Sequence, residues 1–202
     1  MEVINFNGVE LTEVRIIRLL DESLAAARTH RSSQQARQRA AVLVPLLQVD
    51  GAWHLLFTRR TDTVLTHKGQ VAFPGGAVEP EDPNVVHTAL REAYEEIGLI
   101  PDQVKILGQM PDYVTVSQYA ITPIIGYVFW PFEMILSADE VTRAFTIPLA
   151  WLANKANYEE RLYTRSDGRQ EMLIFYQTYS GELLWGITAR ITIDFLAILG
   201  LS

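Results

Sequence analysis

Residues Gly75 to Leu99 read GGAVEPEDPNVVHTALREAYEEIGL, and the second half of that stretch decides the fold. Val86, Ala89, Leu90, Ala93 and Ile97 recur at helical spacing and make a face that can be buried. Glu92, Glu95 and Glu96 stand at i, i+3 and i+4, so a rotation of about 100° per residue gathers them on another face. Crowded carboxylates repel one another unless a cation sits among them. Hard oxygen donors with neither Cys nor His in the cluster suit Mg²⁺ or Mn²⁺ rather than zinc. A lone Arg-Glu or Glu-Glu pair would mean only a solvated acidic face. The whole set in this order means a divalent-metal site that handles phosphates.

The flanking residues support a helix held in place. Asp82 is expected at the N-cap, Pro83 at the first helical position, and Gly98 in a left-handed turn that ends the helix. Arg91 and Glu95 are four apart and can pair, which would orient a ligand carboxylate. Gly75 and Gly76 let backbone approach a ligand closely, and a carbonyl near them, taken here as that of Gly76, can complete a metal's shell. A diphosphate resists hydrolysis because its anionic oxygens repel a nucleophile and the leaving phosphate needs neutralising; metal ions relieve both problems.

At these residues the chain resembles the Nudix hydrolase family, whose signature ends Arg-Glu-apolar-any-Glu-Glu-any-Gly-apolar. Arg91-Glu92-Ala93-Tyr94-Glu95-Glu96-Ile97-Gly98-Leu99 matches it throughout. The earlier half departs: the acid after Gly76 falls on Asp82, with Glu79 and Glu81 as rivals, and Arg91 comes one residue late. The preceding segment, LLFTRRTDTVLTHKGQVAFPGG from Leu55 to Gly76, resembles the additional motif of the coenzyme A pyrophosphatase subfamily. Thr58, Arg60, Gly69, Phe73, Pro74, Gly75 and Gly76 fit it in register. Thr61 stands where Ser is usual and keeps a hydroxyl. Leu65 stands where Arg is expected and removes a cation, with Arg59 and Lys68 nearby. Arg39 to Pro45 resembles the first core strand of the subfamily's bacterial branch and Trp185 to Thr188 the entry to its last helix, so the likeness spans about residues 38 to 200.

The resemblance implies an α+β Nudix fold, a mixed β-sheet sandwiched between helices. It also implies a Mg²⁺- or Mn²⁺-dependent hydrolase splitting coenzyme A or acyl-CoA into 3′,5′-ADP and 4′-phosphopantetheine or its acyl form. Glu92, Glu95 and Glu96 would be metal ligands with the Gly76 carbonyl assisting, unless Glu92 instead orients a ligand or takes a proton. Arg91 belongs to the same catalytic set. Glu140, in Ala138-Asp139-Glu140-Val141, resembles a later acid that some members bring to the metal; a surface acid before a strand is an equal alternative. Arg59, Arg60, Lys68, Gly75 and Gly76 are the substrate-binding candidates. Two other readings stay open: cleavage of another nucleoside diphosphate derivative such as ADP-ribose, and a ligand-binding module without catalysis. All three helix acids being present weighs against the second.

Composition agrees. At 202 residues, 49% hydrophobic and 20% charged, the chain is long enough for one globular core. The expected division is an N-terminal helix and basic linker over residues 1–38 and a hydrolase domain over 39–202. No apolar run approaches the ~18 residues of a membrane span; the richest, Ile121 to Phe132, is broken by Pro123, Gly126 and Pro131. No hydrophobic signal core follows Met1-Glu2, and zero cysteines exclude disulfides, thiolate metal sites and a Cys nucleophile, so a cytoplasmic enzyme is expected. A net charge of −7 argues against nucleic acid as a partner. The partner expected is a small nucleotide, with a homodimer as an open option. A polyanion must then be attracted locally. Arg59, Arg60, His67 and Lys68 are better placed for that than Arg28, His30, Arg31, Arg37 and Arg39, which read as a solvated linker.

The remaining pattern is coarse. A helix is expected over Thr12–Ala27 with Val14, Ile17, Leu20 and Leu24 inward. Strands are expected near Ala41–Leu47, Trp53–Arg60, Val104–Met110, Ile121–Val128 and Thr142–Ile147, with a short helix from Pro148 to Ala153. Ser166-Asp167-Gly168-Arg169 predicts a hairpin between Tyr158–Tyr163 and Met172–Tyr176. Thr188 is expected to cap a final helix, Ala189–Leu199. Phe175, Tyr176 and Trp185 read as core more readily than as an adenine pocket, and His87 as exposed on the flank of the acidic helix.

Overall fold

The computed structural model describes residues 4–6, 9–28, 38–61, 69–115, 118–164 and 168–201. The chain opens with a small hairpin, β1 (Ile4–Phe6) and β2 (Val9–Leu11), followed by α1 (Glu13–Arg28). Next come β3 (Gln38–Val49), β4 (Ala52–Arg60), the short β5 (Val71–Ala72) and β6 (Gly75–Ala77), then α2 (Val85–Ile97). After α2 run β7 (Val104–Gln109), β8 (Tyr113–Val114), β9 (Tyr119–Val128) and β10 (Val141–Pro148). The chain finishes with α3 (Leu149–Leu152), the hairpin β11 (Tyr158–Thr164) and β12 (Gln170–Tyr176), and α4 (Gly186–Ile198).

The central sheet has the order β10-β4-β3-β9-β7, with β5 on β4, β6 on β3 and β8 on β9. Its pairs are antiparallel except β3 with β9, which run parallel, so the sheet is mixed as expected. Asp50 and Gly51, both at positive φ (48° and 78°), turn β3 into β4. Strand alternation then sends side chains to two cores. Ala41, Leu43, Leu47 and Leu56 meet Ala89, Ala93 and Ile97 of α2 on one face. Val44, Leu46, Leu55 and Phe57 meet Ile16 and Leu20 of α1 and Ile191 and Phe195 of α4 on the other. The sandwich of helices around a sheet follows directly from this two-sided apolar pattern. Among the described residues no helix is long and apolar enough to cross a membrane.

Some sequence expectations need correction. Val14 is 77% exposed, and Ile16 is the buried residue of that turn. The Thr12 hydroxyl accepts the Arg15 N–H at 3.2 Å and sets the helical phase, leaving Val14 about 200° round from Ile16. Thr188 does not cap the last helix: α4 begins at Gly186, whose φ of 64° turns the chain in, and Thr188 is buried inside. Asp82 is not the cap of α2, for a reason that belongs to the site. The β11–β12 hairpin forms, but residues 165–167 at its tip lie outside the described set.

Candidate metal and phosphate site

The acidic helix is started by Asn84, in extended conformation, whose Oδ1 accepts the N–H groups of Val86 and His87, each at 3.0 Å. Pro83 therefore lies outside the helix. Asp82 is committed elsewhere. Its carboxylate takes Arg91 in two contacts, Nε to Oδ1 and Nη2 to Oδ2, both 3.1 Å, and accepts the Thr88 hydroxyl at 2.8 Å. The Arg91 guanidinium holds Asp82 well below the usual carboxylate range, and Asp82 in turn raises Arg91. Of the rival early acids, Asp82 makes this two-point contact, whereas Glu79 stands 3.9 Å from Arg91. At the other end Gly98 takes the left-handed conformation (φ 71°) expected of it.

Arg91 then presents Nη1 to Glu92 Oε1 and to Glu95 Oε2, each at 3.0 Å. The fork thus ties two of the three expected ligand carboxylates to the start of the helix. Glu92 lies against the glycine turn: a Cβ on Gly76 would come 2.4–2.6 Å from its carboxylate. Gly75 is needed for a different reason, because a Cβ there would strike the Ala41 carbonyl at 2.4 Å, where β6 pairs with β3. Glu96 shares the buried face of α2 with Ala89, Ala93 and Ile97 and is only 2% exposed. It accepts the Gly75 N–H, and burial pushes its carboxyl up to about 8, with Arg60 opposing and Glu92 and Glu140 adding to the rise. Burial raises Glu92 as well, against the pull of Arg91 and with Glu95 and Glu140 adding to the rise.

Glu92 and Glu96 thus both feel the charge of Glu140, and Glu96 that of Glu92 as well, while Glu95 is half exposed beside Arg91. Among the described residues no three acidic or histidine side chains form a ready cage for a metal ion. The donor chemistry nevertheless fits a divalent cation: Glu96 Oε2 is buried without any hydrogen-bond partner. An orphaned carboxylate oxygen in a nest of acids is what a hard cation satisfies.

The basic candidates part company. Arg60 turns toward the carboxylates, with Nη1 3.7 Å from Glu96 Oε1. Arg59, its neighbour on β4, points to the opposite face, 3.6 Å from Glu182 Oε2; Arg143 meets the same buried glutamate at 3.1 Å. Nothing in the sequence singled out Glu182, since a lone acid in a turn carries no periodic signal. Leu65, His67 and Lys68 lie outside the described residues, as do His30, Arg31, Arg37 and the Arg28 side chain. His87 is exposed, its Nδ1 2.9 Å from Asp82. Tyr176 is buried and donates its hydroxyl to the Leu152 carbonyl, and Phe175 stacks on Trp185 at 5.4 Å.

The chain is similar to known proteins of one family. The family model described as the NUDIX domain matches residues 37–177. The uncharacterized Nudix hydrolase NudL of Escherichia coli O7:K1 is 37% identical over 155 residues, 76% of this chain and 79% of that protein. Its counterpart in Shigella boydii serotype 4 is 38% identical over the same share. Among solved structures, a NUDIX hydrolase from Alicyclobacillus acidocaldarius superposes with a TM-score of 0.54 at 19% identity, covering 79% of this chain and 91% of that one. A MutT/nudix family protein from Enterococcus faecalis gives 0.55 at 13% identity, covering 94% and 80%. The two structures carry the fold alone.

Proposed function

This chain belongs to the Nudix hydrolase family and is a pyrophosphatase of that type, and from that premise we propose that it cleaves the diphosphate of coenzyme A or its thioesters in the cytoplasm. The products would be 3′,5′-ADP and 4′-phosphopantetheine or its acyl form. One observation carries the substrate half. Of the Leu55–Gly76 segment that resembles the coenzyme A subfamily, the described residues 55–61 and 69–76 meet the acidic helix, with Arg60 3.7 Å from Glu96 and the Gly76 turn against Glu92. Phe73 of the same segment anchors it, buried and stacked 4.8 Å from Phe57.

Glu92, Glu95 and Glu96, with the Gly76 carbonyl, would hold Mg²⁺ or Mn²⁺. When bound, the ion would neutralise diphosphate oxygens and make water more acidic. The chain's own residues do the rest. Arg91, clamped by Asp82, fixes the directions of Glu92 and Glu95. Arg60 offers a guanidinium to a phosphate oxygen beside Glu96. Glu140 is the carboxylate left to take a proton from the attacking water. The water oxygen bonds to phosphorus, the bridging P–O bond breaks, and the electron pair leaves on the departing phosphate. The test is incubation with Mg²⁺ or Mn²⁺ and a panel of coenzyme A, acetyl-CoA and ADP-ribose, with products identified by mass. Coenzyme A cleavage lost in Glu96→Gln supports the proposal. Preference for ADP-ribose removes the substrate half, and an inert wild type removes the whole.

A further inference from the structure

We propose that Thr61 is a positioning residue for Glu140, holding the turn that carries this carboxylate against the acidic helix. Thr61 directly follows β4 and is 4% exposed. Its N–H donates to the Glu140 carbonyl at 2.9 Å, and its hydroxyl donates to the Asp139 carbonyl at 3.0 Å. The far side of the same turn is tied to α2: the Ser137 N–H donates to the carbonyl of Glu96 itself at 3.0 Å. Two residues earlier the Ile135 N–H donates to the Ile97 carbonyl at 3.1 Å. The turn closes on itself through the N–H groups of Glu140 and Val141, which return to the Ser137 carbonyl at 3.1 and 2.8 Å.

Residues 137–140 are thus stretched between the end of β4 and the end of α2, bonded to each by the backbone. The bridge fixes where Glu140 stands relative to α2, whose Glu92 and Glu96 both feel its like charge. The backbone N–H of residue 61 survives most substitutions, so the hydroxyl is the part the side chain contributes. This gives a physical reason for a hydroxyl at a position where the subfamily motif carries Ser. The inference rests on the proposed hydrolysis insofar as Glu140 serves the reaction.

The experiment compares Thr61→Val, which keeps the shape and deletes the hydroxyl, with Thr61→Ser, which restores it. On whichever diphosphate of the panel the wild type cleaves, Thr61→Val is expected to lower kcat about tenfold with KM changed less than about twofold. Thr61→Ser restores kcat. In a Glu140→Gln background Thr61→Val adds nothing, because both changes act through one carboxylate. Losses that add in the double variant, or a Ser variant as poor as Val, overturn the proposal. A wild type inert on every diphosphate defeats the proposed function separately. In that case hydrogen exchange decides the clasp: Thr61→Val accelerates exchange across residues 137–141 and Thr61→Ser does not, and unchanged exchange in Thr61→Val overturns it.

Discussion

At the scale of single residues, neighbouring glycines have different duties. A methyl at Gly76 would meet the far end of the Glu92 side chain, which can move aside. Gly76→Ala is therefore expected to fold with a melting temperature within about 3 °C of wild type, while Mn²⁺ binding by calorimetry weakens about tenfold. A methyl at Gly75 would meet backbone of β3, which cannot yield cheaply, and Gly75→Ala is expected to cost about 2 kcal/mol or more in urea denaturation. Glu96 gives the clearest sign test. Its carboxyl is pushed up to about 8, chiefly by burial. Between roughly pH 4 and that value, the fold without metal keeps a proton that the unfolded chain has lost, so stability falls as pH rises. In EDTA, Glu96→Gln should melt above wild type by about 3 °C or more at pH 8, and the two curves should converge near pH 5. The same variant should lose all diphosphate cleavage. A Gln variant less stable than wild type at pH 8 would contradict the burial argument.

At the scale of elements, α2 is held less by its own propensity than by what lies before it. Asp82, whose side chain is 1% exposed, grips Arg91, and Arg91 reaches forward to Glu92 and Glu95. Removing Asp82 takes away the two-point partner of Arg91, which keeps only Glu92 and Glu95 among its close carboxylates, and costs about 2 kcal/mol. Asp82→Ala should show that loss together with a fall in kcat, since the fork that aims two carboxylates is freed. The pH dependence has a definite sign. Asp82 is depressed by Arg91 in the fold, so its contribution is complete above the ordinary carboxylate value of about 4 and is lost as pH drops further. Urea midpoints should fall in wild type below about pH 4 more steeply than in Asp82→Asn.

At the scale of the whole molecule, the central sheet separates chemistry from support. α2 packs on one face with the carboxylates at its edge, whereas α1 and α4 cover the other. Leu20 of α1 lies fully in that second core and rests against Gly108 of β7, whose absent Cβ would sit 3.1 Å from Leu20 Cδ1. Leu20→Ala should therefore cost about 3 kcal/mol of stability. It should leave KM and the pH profile of the folded fraction unchanged, because the sheet stands between the cavity and the acids. A changed KM would mean that α1 communicates with the site.

Local chemistry alone determined much of this protein. The 3.6-residue period of Val86 to Ile97 made α2 legible, and short apolar runs made β3, β4 and β9 legible as strands. The acids of α2 stood out because like charges at helical spacing need a reason. Capping and burial were decided by tertiary contact. Asp82 looks like a cap in one dimension, but Arg91, nine residues on, outbids the helix N–H groups for its carboxylate, and Asn84 takes the post. Glu96 has the sequence character of a surface acid, yet the packing of α2 on β3 and β6 buries it. Thr61 and Glu140 are far apart in the chain and meet only when β10 pairs with β4. A one-dimensional pattern encodes which face a side chain shares with its neighbours in sequence; which distant group waits across that face is set when the sheet closes.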